Sequence, residues 1–184
     1  LQELVDFMKL VSQCPVPAGN RLAIITMSGG AGIMLSDQCE PLGIQVPQFN
    51  EKVRQRLQSI LPPFGSAANP IDVTAEVYAR PEMIGDSVKV LMEEQAADFV
   101  LVFMGMMDDV APKVIEDIRR LKRHDGIPVI VSWYAASDNV IKRLNEAEIP
   151  SFYDPTRALN ALKLLMDYRL VLNRKAERRF SFLA

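Results

Sequence analysis

The feature that most constrains the fold is an apolar strand that runs directly into a glycine-rich turn and then a helix. The strand, 22–26, reads Leu-Ala-Ile-Ile-Thr, a pattern typical of a parallel strand covered on both faces. The turn after Met27 reads Ser28-Gly29-Gly30-Ala31-Gly32. Glycines let a ligand approach the backbone closely, and a helix N-terminus presents free N–H groups and the positive end of the helix dipole. This turn is therefore predicted to bind an anion.

Strand and helix patterns alternate along the rest of the chain. The run 99–104 is continuously apolar and of strand length, as expected for a central strand. The other predicted strands are 44–46, 127–133 and 149–153, and helices are predicted at 1–11, 30–39, 50–61, 80–94, 108–121, 137–148 and from 154 onward. This alternation predicts an α/β fold with a single doubly wound parallel sheet of about five strands, flavodoxin-like, with helices on both faces.

Composition narrows the class of protein. The net charge of −2 argues against nucleic-acid binding, and Cys14 and Cys39 lack the spacing of a metal site or a disulfide framework. Neither a signal-peptide pattern nor an apolar run of about 18 residues is evident, which favours a cytoplasmic protein without a membrane span. The single histidine, His124, follows the cationic end of a predicted helix and is assigned a structural role. No metal site is predicted.

Three parts of the chain are expected. Residues 1–18 form a lead-in helix and linker, 19–172 form the α/β domain, and 173–184 form a basic tail. Because the chain begins with Leu1 rather than methionine, we expect it to be a piece of a longer polypeptide.

The candidate site lies where the parallel strands end, since ligands of such sheets bind beyond the carboxyl ends of the strands. Four loops should meet there: 27–32, 69–74, 105–109 and 133–137. Besides the glycine turn, the candidate residues of these loops are Asn69, Asp72, Thr74 and Gly105.

Known phosphate-binding motifs fit this turn poorly. A dinucleotide fingerprint needs a third glycine where Leu35 stands and an acidic residue where Gln48 stands, and a P-loop needs a lysine directly after the glycines. A loop that binds a flavin mononucleotide would be rich in serine and threonine hydroxyls, whereas this turn has only those of Thr26 and Ser28. The serines lack a histidine that the fold would bring near them. No catalytic residue is therefore predicted in this chain.

Several short segments resemble, in this order, those of a known family. They are 21–32, Leu61-Pro62-Pro63, Ala68-Asn69-Pro70-Ile71-Asp72-Val73, Pro128-Val129-Ile130-Val131-Ser132-Trp133 and Ala147-Glu148-Ile149-Pro150-Ser151-Phe152. The family is that of the NDP-forming acyl-CoA synthetases, such as ADP-forming acetate–CoA ligases, which are similar to succinyl-CoA ligases with shuffled domains. The resemblance identifies the chain as the flavodoxin-like CoA-ligase domain.

The resemblance implies a role within a larger enzyme. That enzyme makes acyl-CoA from a carboxylic acid, CoA and ATP through a phosphohistidine, with Mg²⁺ accompanying the nucleotide. This chain would bind no cofactor tightly and would be inactive alone. Its partners would be CoA-binding and phosphohistidine domains and a downstream ATP-grasp domain, in a multidomain chain or homo-oligomer. The N–H groups of Gly29 to Gly32, with the hydroxyl of Ser28, would hold the phosphohistidine.

Two alternatives remain open. The same domains also occur fused to protein acetyltransferases as non-catalytic acyl-CoA sensors, and a free-standing flavin-binding protein is a third interpretation.

Overall fold

The computed structural model describes residues 1–122 and 126–181, with side chains described through 172. The helices of this part are α1 (Gln2–Gln13), α2 (Gly29–Cys39), α3 (Glu51–Gln58), α4 (Glu82–Glu93), α5 (Ala111–Leu121), α6 (Asp138–Glu146) and α7 (Pro155–Ser181). Its strands are β1 (Leu22–Thr26), β2 (Ile71–Asp72), β3 (Phe99–Gly105), β4 (Val129–Tyr134) and β5 (Ser151–Phe152).

These strands form one parallel sheet in the order β2-β1-β3-β4-β5. This order and the helices on both faces confirm the predicted flavodoxin-like fold. Ile25 of β1 lies between Ile71 of β2 and Val102 of β3, so the three strands end at a common edge. The loops that follow them are thereby brought together.

The sheet separates two apolar layers. Alternate residues of β1 point to opposite layers: Ala23 and Ile25 to one, Leu22 and Ile24 to the other. Side chains of α3, α4, α5 and α6 line the first layer, and those of α1, α2 and α7 line the second. Because both faces are covered, β1 is buried along its whole length, which accounts for its unbroken apolar sequence.

The prediction of a strand at 44–46 is wrong. Of these residues only Gln45 forms a bridge, to Arg21, the residue before β1. The second strand lies instead at Ile71–Asp72, inside the predicted loop. Along β1, the carboxamide of Asn69 lies between the position bonded to Gln45 and the residues that pair with β2. It accepts a hydrogen bond from the Ile24 N–H (3.0 Å) and donates to the carbonyls of Leu22 (2.8 Å) and Pro47 (3.0 Å).

This side chain acts as a substitute peptide unit in the sheet. Asn69 is 2% exposed, and removing its amide would leave the Ile24 N–H and the Leu22 carbonyl unpaired in the interior, at ~1–3 kcal/mol each. Asn69 thus lies within the sheet, beside the middle of β1, rather than among the open loops at the edge.

Helices α1 and α7 pack against each other, although they lie far apart in the sequence. The carboxylate of Asp6 accepts two hydrogen bonds from the Arg157 guanidinium, at 2.9 and 2.6 Å, and these bonds hold the pKa of Asp6 below its usual range. Helix α7 runs without a break through the predicted boundary at 172, so that boundary stays a prediction. His124 and the side chains of the basic tail lie outside the described residues. Among the described helices, none is long and apolar enough to span a membrane.

Candidate functional site

The carboxyl edge of the sheet gathers the loops that follow β1, β2, β3 and β4. Backbone hydrogen bonds connect them across the edge: the Val73 N–H donates to the Thr26 carbonyl at 2.9 Å, and the Met106 N–H donates to the Tyr134 carbonyl at 3.1 Å. The glycine turn after β1 therefore stands among loops that are fixed relative to one another.

Ser28 is the N-cap of helix α2. Its hydroxyl accepts a hydrogen bond from the Ala31 N–H at 3.4 Å, and its carbonyl accepts one from the Gly32 N–H at 3.0 Å. Thr26, the last residue of β1, helps to hold this cap in place, because its hydroxyl accepts a hydrogen bond from the Ser28 N–H at 3.1 Å. The helix thus begins within the glycine turn, as the sequence predicted.

Two donors at this helix end remain free. Of the four N–H groups predicted as donors, those of Ala31 and Gly32 are already engaged with Ser28. Within the described part of the chain, the N–H groups of Gly29 and Gly30 form no hydrogen bond, and both residues are exposed. The first turn carries no acidic side chain; the carboxylate that approaches this positive end of the dipole is that of Asp72, the last residue of β2.

The three glycines of the turn differ in what surrounds them. A Cβ on Gly32 would lie 2.9 Å from Cβ of Pro70, so this glycine is required by close packing. A Cβ on Gly29 would lie 3.1 Å from Oδ2 of Asp72. A Cβ on Gly30 would meet only the Ser28 Oγ, at 4.0 Å. Neither packing nor a positive φ requires a glycine at position 30.

The outer face of α2 beside this turn is apolar. Ile33 and Met34 are 64% and 65% exposed, and with Gly29 and Gly30 they make up the exposed side of the first two turns. The sequence pattern did not single out this pair. The available signal is that three consecutive apolar residues, Ile33, Met34 and Leu35, cannot share one face of a helix; in the structure Leu35 is the buried one.

Two other predicted site residues lie at the same edge, next to the glycine turn. Oδ1 of Asp72 accepts the Thr74 N–H at 2.8 Å, while Oδ2 faces Gly29. Thr74 has a φ of 60° and its hydroxyl accepts the Glu76 N–H at 3.2 Å. The structure therefore brings Asp72 and Thr74 together with the turn.

Gly105 ends β3 at this edge, beside Tyr134 of β4. A Cβ at Gly105 would lie 3.9 Å from the Tyr134 Cβ, which is an ordinary contact distance. Packing therefore tolerates a side chain at this position, and the structure gives Gly105 no further role.

A second helix N-terminus, that of α6, opens onto the same edge. Ser137 caps it by accepting the Val140 N–H at 3.4 Å, and the Ser137 N–H itself donates to Oδ2 of Asp108 at 3.1 Å. Asp138 adds an acidic side chain in the first turn. This helix end is therefore supplied with carboxylates by the domain itself, a role of Asp108 that the sequence pattern did not reveal.

The four loops at this edge, 27–32, 69–74, 105–109 and 133–137, contain neither a histidine nor a cysteine. Cys39 ends α2, at the far end of the helix from the glycine turn, and burial raises the pKa of its thiol to about 12. In the described ranges, no group of three histidine, cysteine or acidic residues is arranged to hold a metal ion. What the edge offers is an exposed pair of backbone donors at a helix N-terminus.

The family follows from comparison with known proteins. The model of the Ligase-CoA domain matches residues 22–153, which span the sheet from β1 to the residue after β5. The chain belongs to the Ligase-CoA domain family.

Individual relatives point to one group of enzymes. The chain is 30% identical over 171 residues to ADP-forming acetate–CoA ligase I of Archaeoglobus fulgidus, covering 91% of this chain and 24% of that protein. It is 28% identical over 164 residues to the alpha subunit of ADP-forming acetate–CoA ligase II of Pyrococcus furiosus, covering 84% and 35%.

A solved structure gives the same result. The dinucleotide-forming acetyl-coenzyme A synthetase 1 of Ca. Korarchaeum cryptofilum, in complex with phosphate and ADP, matches with a TM-score of 0.78 and 25% identity, covering 92% of this chain and 37% of that one. The chain thus spans between about a quarter and a little over a third of these proteins.

Proposed function

We propose that this chain is one domain of an NDP-forming acyl-CoA synthetase and that the N-terminus of α2 stabilises a phosphohistidine presented by another domain. The complete enzyme would convert a carboxylic acid, CoA and ATP to acyl-CoA, ADP and phosphate, with Mg²⁺ bound to the nucleotide. The chain's relatives include ADP-forming acetate–CoA ligases, which supports this reaction class. The acetyltransferase-linked sensor is the competing interpretation.

The observation that carries the proposal is the open N-terminus of α2. Within the described residues, two unpaired, exposed N–H groups, at Gly29 and Gly30, stand where the helix dipole is positive and no acidic side chain of the first turn neutralises it. A phosphoryl group carries roughly −1.5 to −2 charges near neutral pH. Hydrogen bonds to such a group are worth about 1.5–3 kcal/mol each, so this helix end favours phosphate without any titrating side chain.

The surroundings favour a phosphate carried by a protein over free phosphate. Ile33 and Met34 are exposed beside the donors, and an apolar rim of this kind suits contact with a protein segment. Asp72 lies next to Gly29 and would repel a bare anion. An imidazole ring that carries the phosphoryl group brings its own N–H, which a carboxylate can accept.

Replacing Gly30 with valine in the full-length enzyme tests this proposal. A Cβ at Gly30 meets open space, so the fold tolerates the change, while the branched side chain obstructs approach to the two donors. We expect phosphohistidine formation and discharge, followed with labelled phosphate, to slow by at least about tenfold, since losing one such hydrogen bond costs ~1.5–3 kcal/mol. Asp37→Val is the matched control, on the same face of α2 and about 10 Å further along the axis.

The outcomes separate the interpretations. Slow transfer in Gly30→Val with normal transfer in Asp37→Val supports the assignment of the helix end. Equal rates in both variants contradict it while leaving the enzyme class intact. A wild-type protein that forms no phosphohistidine contradicts the ligase mechanism and favours the acyl-CoA sensor.

A further inference from the structure

Helix α1 has apolar side chains on two faces: Phe7, Leu10 and Val11 pack against the second layer of the core, and a second apolar face points outward. Leu4, Val5 and Met8 are 58%, 55% and 56% exposed, and they continue from Leu1 along one face of the helix. We call these four residues the outer stripe. An amphipathic helix on a globular domain normally has a polar outer face, whereas the outer face of α1 carries this second apolar stripe.

The inner face of α1 is held by polar contacts in addition to its apolar packing. Asp6 is 5% exposed and is held by two hydrogen bonds from Arg157. The ammonium group of Lys9 donates to the Ser151 carbonyl at 2.6 Å, and Leu10 is fully buried. Turning the outer stripe inward would break these contacts and leave Asp6 without its cation.

The size of the outer stripe helps to identify what covers it. Their exposed parts together amount to a little under three whole aliphatic side chains, or roughly 150–350 Å², since burying one side chain completely is worth ~1.5–3 kcal/mol at ~25 cal/mol per Å². A stable interface between separate molecules buries about 800 Å² on each partner. The stripe alone is thus too small for a stable dimer of this chain, whereas a domain in the same polypeptide binds at a high effective concentration.

We propose that the outer stripe docks onto an apolar surface of another domain of the same polypeptide. The relatives extend well beyond the matched region, since the chain covers 24% of the Archaeoglobus ligase and 35% of the Pyrococcus alpha subunit. Further domains of a longer chain are therefore the partners that this fold would meet. The contact fixes α1, and through Arg157 and Ser151 it fixes the orientation of the whole domain. It does not depend on the phosphohistidine assignment.

Cysteine labelling of the full-length protein tests this contact. Met8→Cys places a thiol in the outer stripe, and Glu3→Cys places one on an exposed position of the same helix outside the stripe. Each variant is treated with N-ethylmaleimide and the labelled peptide is quantified by mass spectrometry. The native Cys14 adds little background, because burial raises its pKa to about 12. We expect the thiol of Met8→Cys to react at least tenfold more slowly than that of Glu3→Cys at every protein concentration.

A triple variant tests whether the apolar side chains of the outer stripe are what protects the thiol at position 8. Adding Leu4→Gln and Val5→Gln to Met8→Cys should raise the labelling rate to that of the Glu3→Cys control, because the remaining stripe is no longer apolar. Slow labelling that persists in this triple variant overturns the proposal. Equal labelling rates for the two single variants also overturn it, and slow labelling that fades on dilution identifies a second copy as the partner instead.

Discussion

Two helices begin at the same edge of the sheet, and their first turns differ in charge and in bulk. In α6 the first two N–H groups, at Asp138 and Asn139, form no hydrogen bond within the described residues. Carboxylates lie beside them, because Asp108 accepts the Ser137 N–H and Asp138 belongs to the first turn. The start of α2 has no acidic residue in its first turn, and its first two N–H groups, at Gly29 and Gly30, have no partner within the described ranges.

Both helix ends have a serine cap and a positive dipole end, so neither feature distinguishes them. What differs is the charge and the size of the first side chains: α6 begins with Asp138 and Asn139, whereas α2 begins with Gly29 and Gly30. An anion can approach unpaired donors closely only where the first turn carries neither a carboxylate nor a bulky side chain. By this criterion α2 is the candidate binding end and α6 is not.

The largest expected effect comes from making α2 resemble α6. Gly30→Asp in the full-length protein places a carboxylate at the open N-terminus, and Gly30→Asn places a neutral side chain of the same shape there. The carboxylate stabilises the helix end but repels a phosphoryl group. We expect phosphohistidine turnover in the Asp variant to be roughly ten to a hundred times slower than in the Asn variant, at ~1.4 kcal/mol per tenfold.

The two variants differ in charge alone, so equal rates would show that no anion approaches this helix end. Circular dichroism of both proteins checks that the fold is unchanged.

A medium effect is expected from removing the two caps. Ser28→Ala and Ser137→Ala each delete a side-chain acceptor at a helix start, and each should lower the free energy of unfolding by ~1 kcal/mol. Urea denaturation measures both losses. Only Ser28→Ala should also alter phosphohistidine turnover, because its hydroxyl belongs to the open end. If Ser137→Ala slows turnover equally, the two helix ends do not differ in function.

The smallest effect is expected at Asp108. Asp108→Asn keeps a side-chain oxygen for the Ser137 N–H but removes the charge near the α6 dipole. A surface charge at a helix end contributes ~0.3–1 kcal/mol at low ionic strength. Thermal unfolding at low salt should show a loss of this size, and added salt should shrink it. A loss that is independent of salt would assign the stabilisation to the hydrogen bond rather than to the charge.

Much of the fold was predictable because local signals agreed with the tertiary structure. The apolar runs of β1 and β3 indicated central strands, and the caps Asn50 and Ser137 both accept backbone N–H groups at the predicted helix starts. The strand predicted at 44–46 failed for a long-range reason. The edge of the sheet is completed there by a side chain from position 69, which no local pattern reveals.

The site was predicted only in outline. The glycine turn and its place after β1 follow from the sequence, but the glycines have different roles that depend on distant residues. Gly32 is required by Pro70, which lies far along the chain, while Gly30 faces open space. The sequence also did not show which faces of α1 and α2 would be exposed, since a helical period shows which residues share a face but not which way that face points.

The two edge strands, β2 and β5, have a consequence for how this domain can be joined to others. Each is only two residues long, and Asp72 of β2 is paired with Ser66 through hydrogen bonds of 3.1 and 3.0 Å. Long unpaired strand edges are what allow a sheet to extend from one chain into another. This sheet offers none in its described part, so the domain resists strand-mediated aggregation and larger assemblies must grow through its helices and loops.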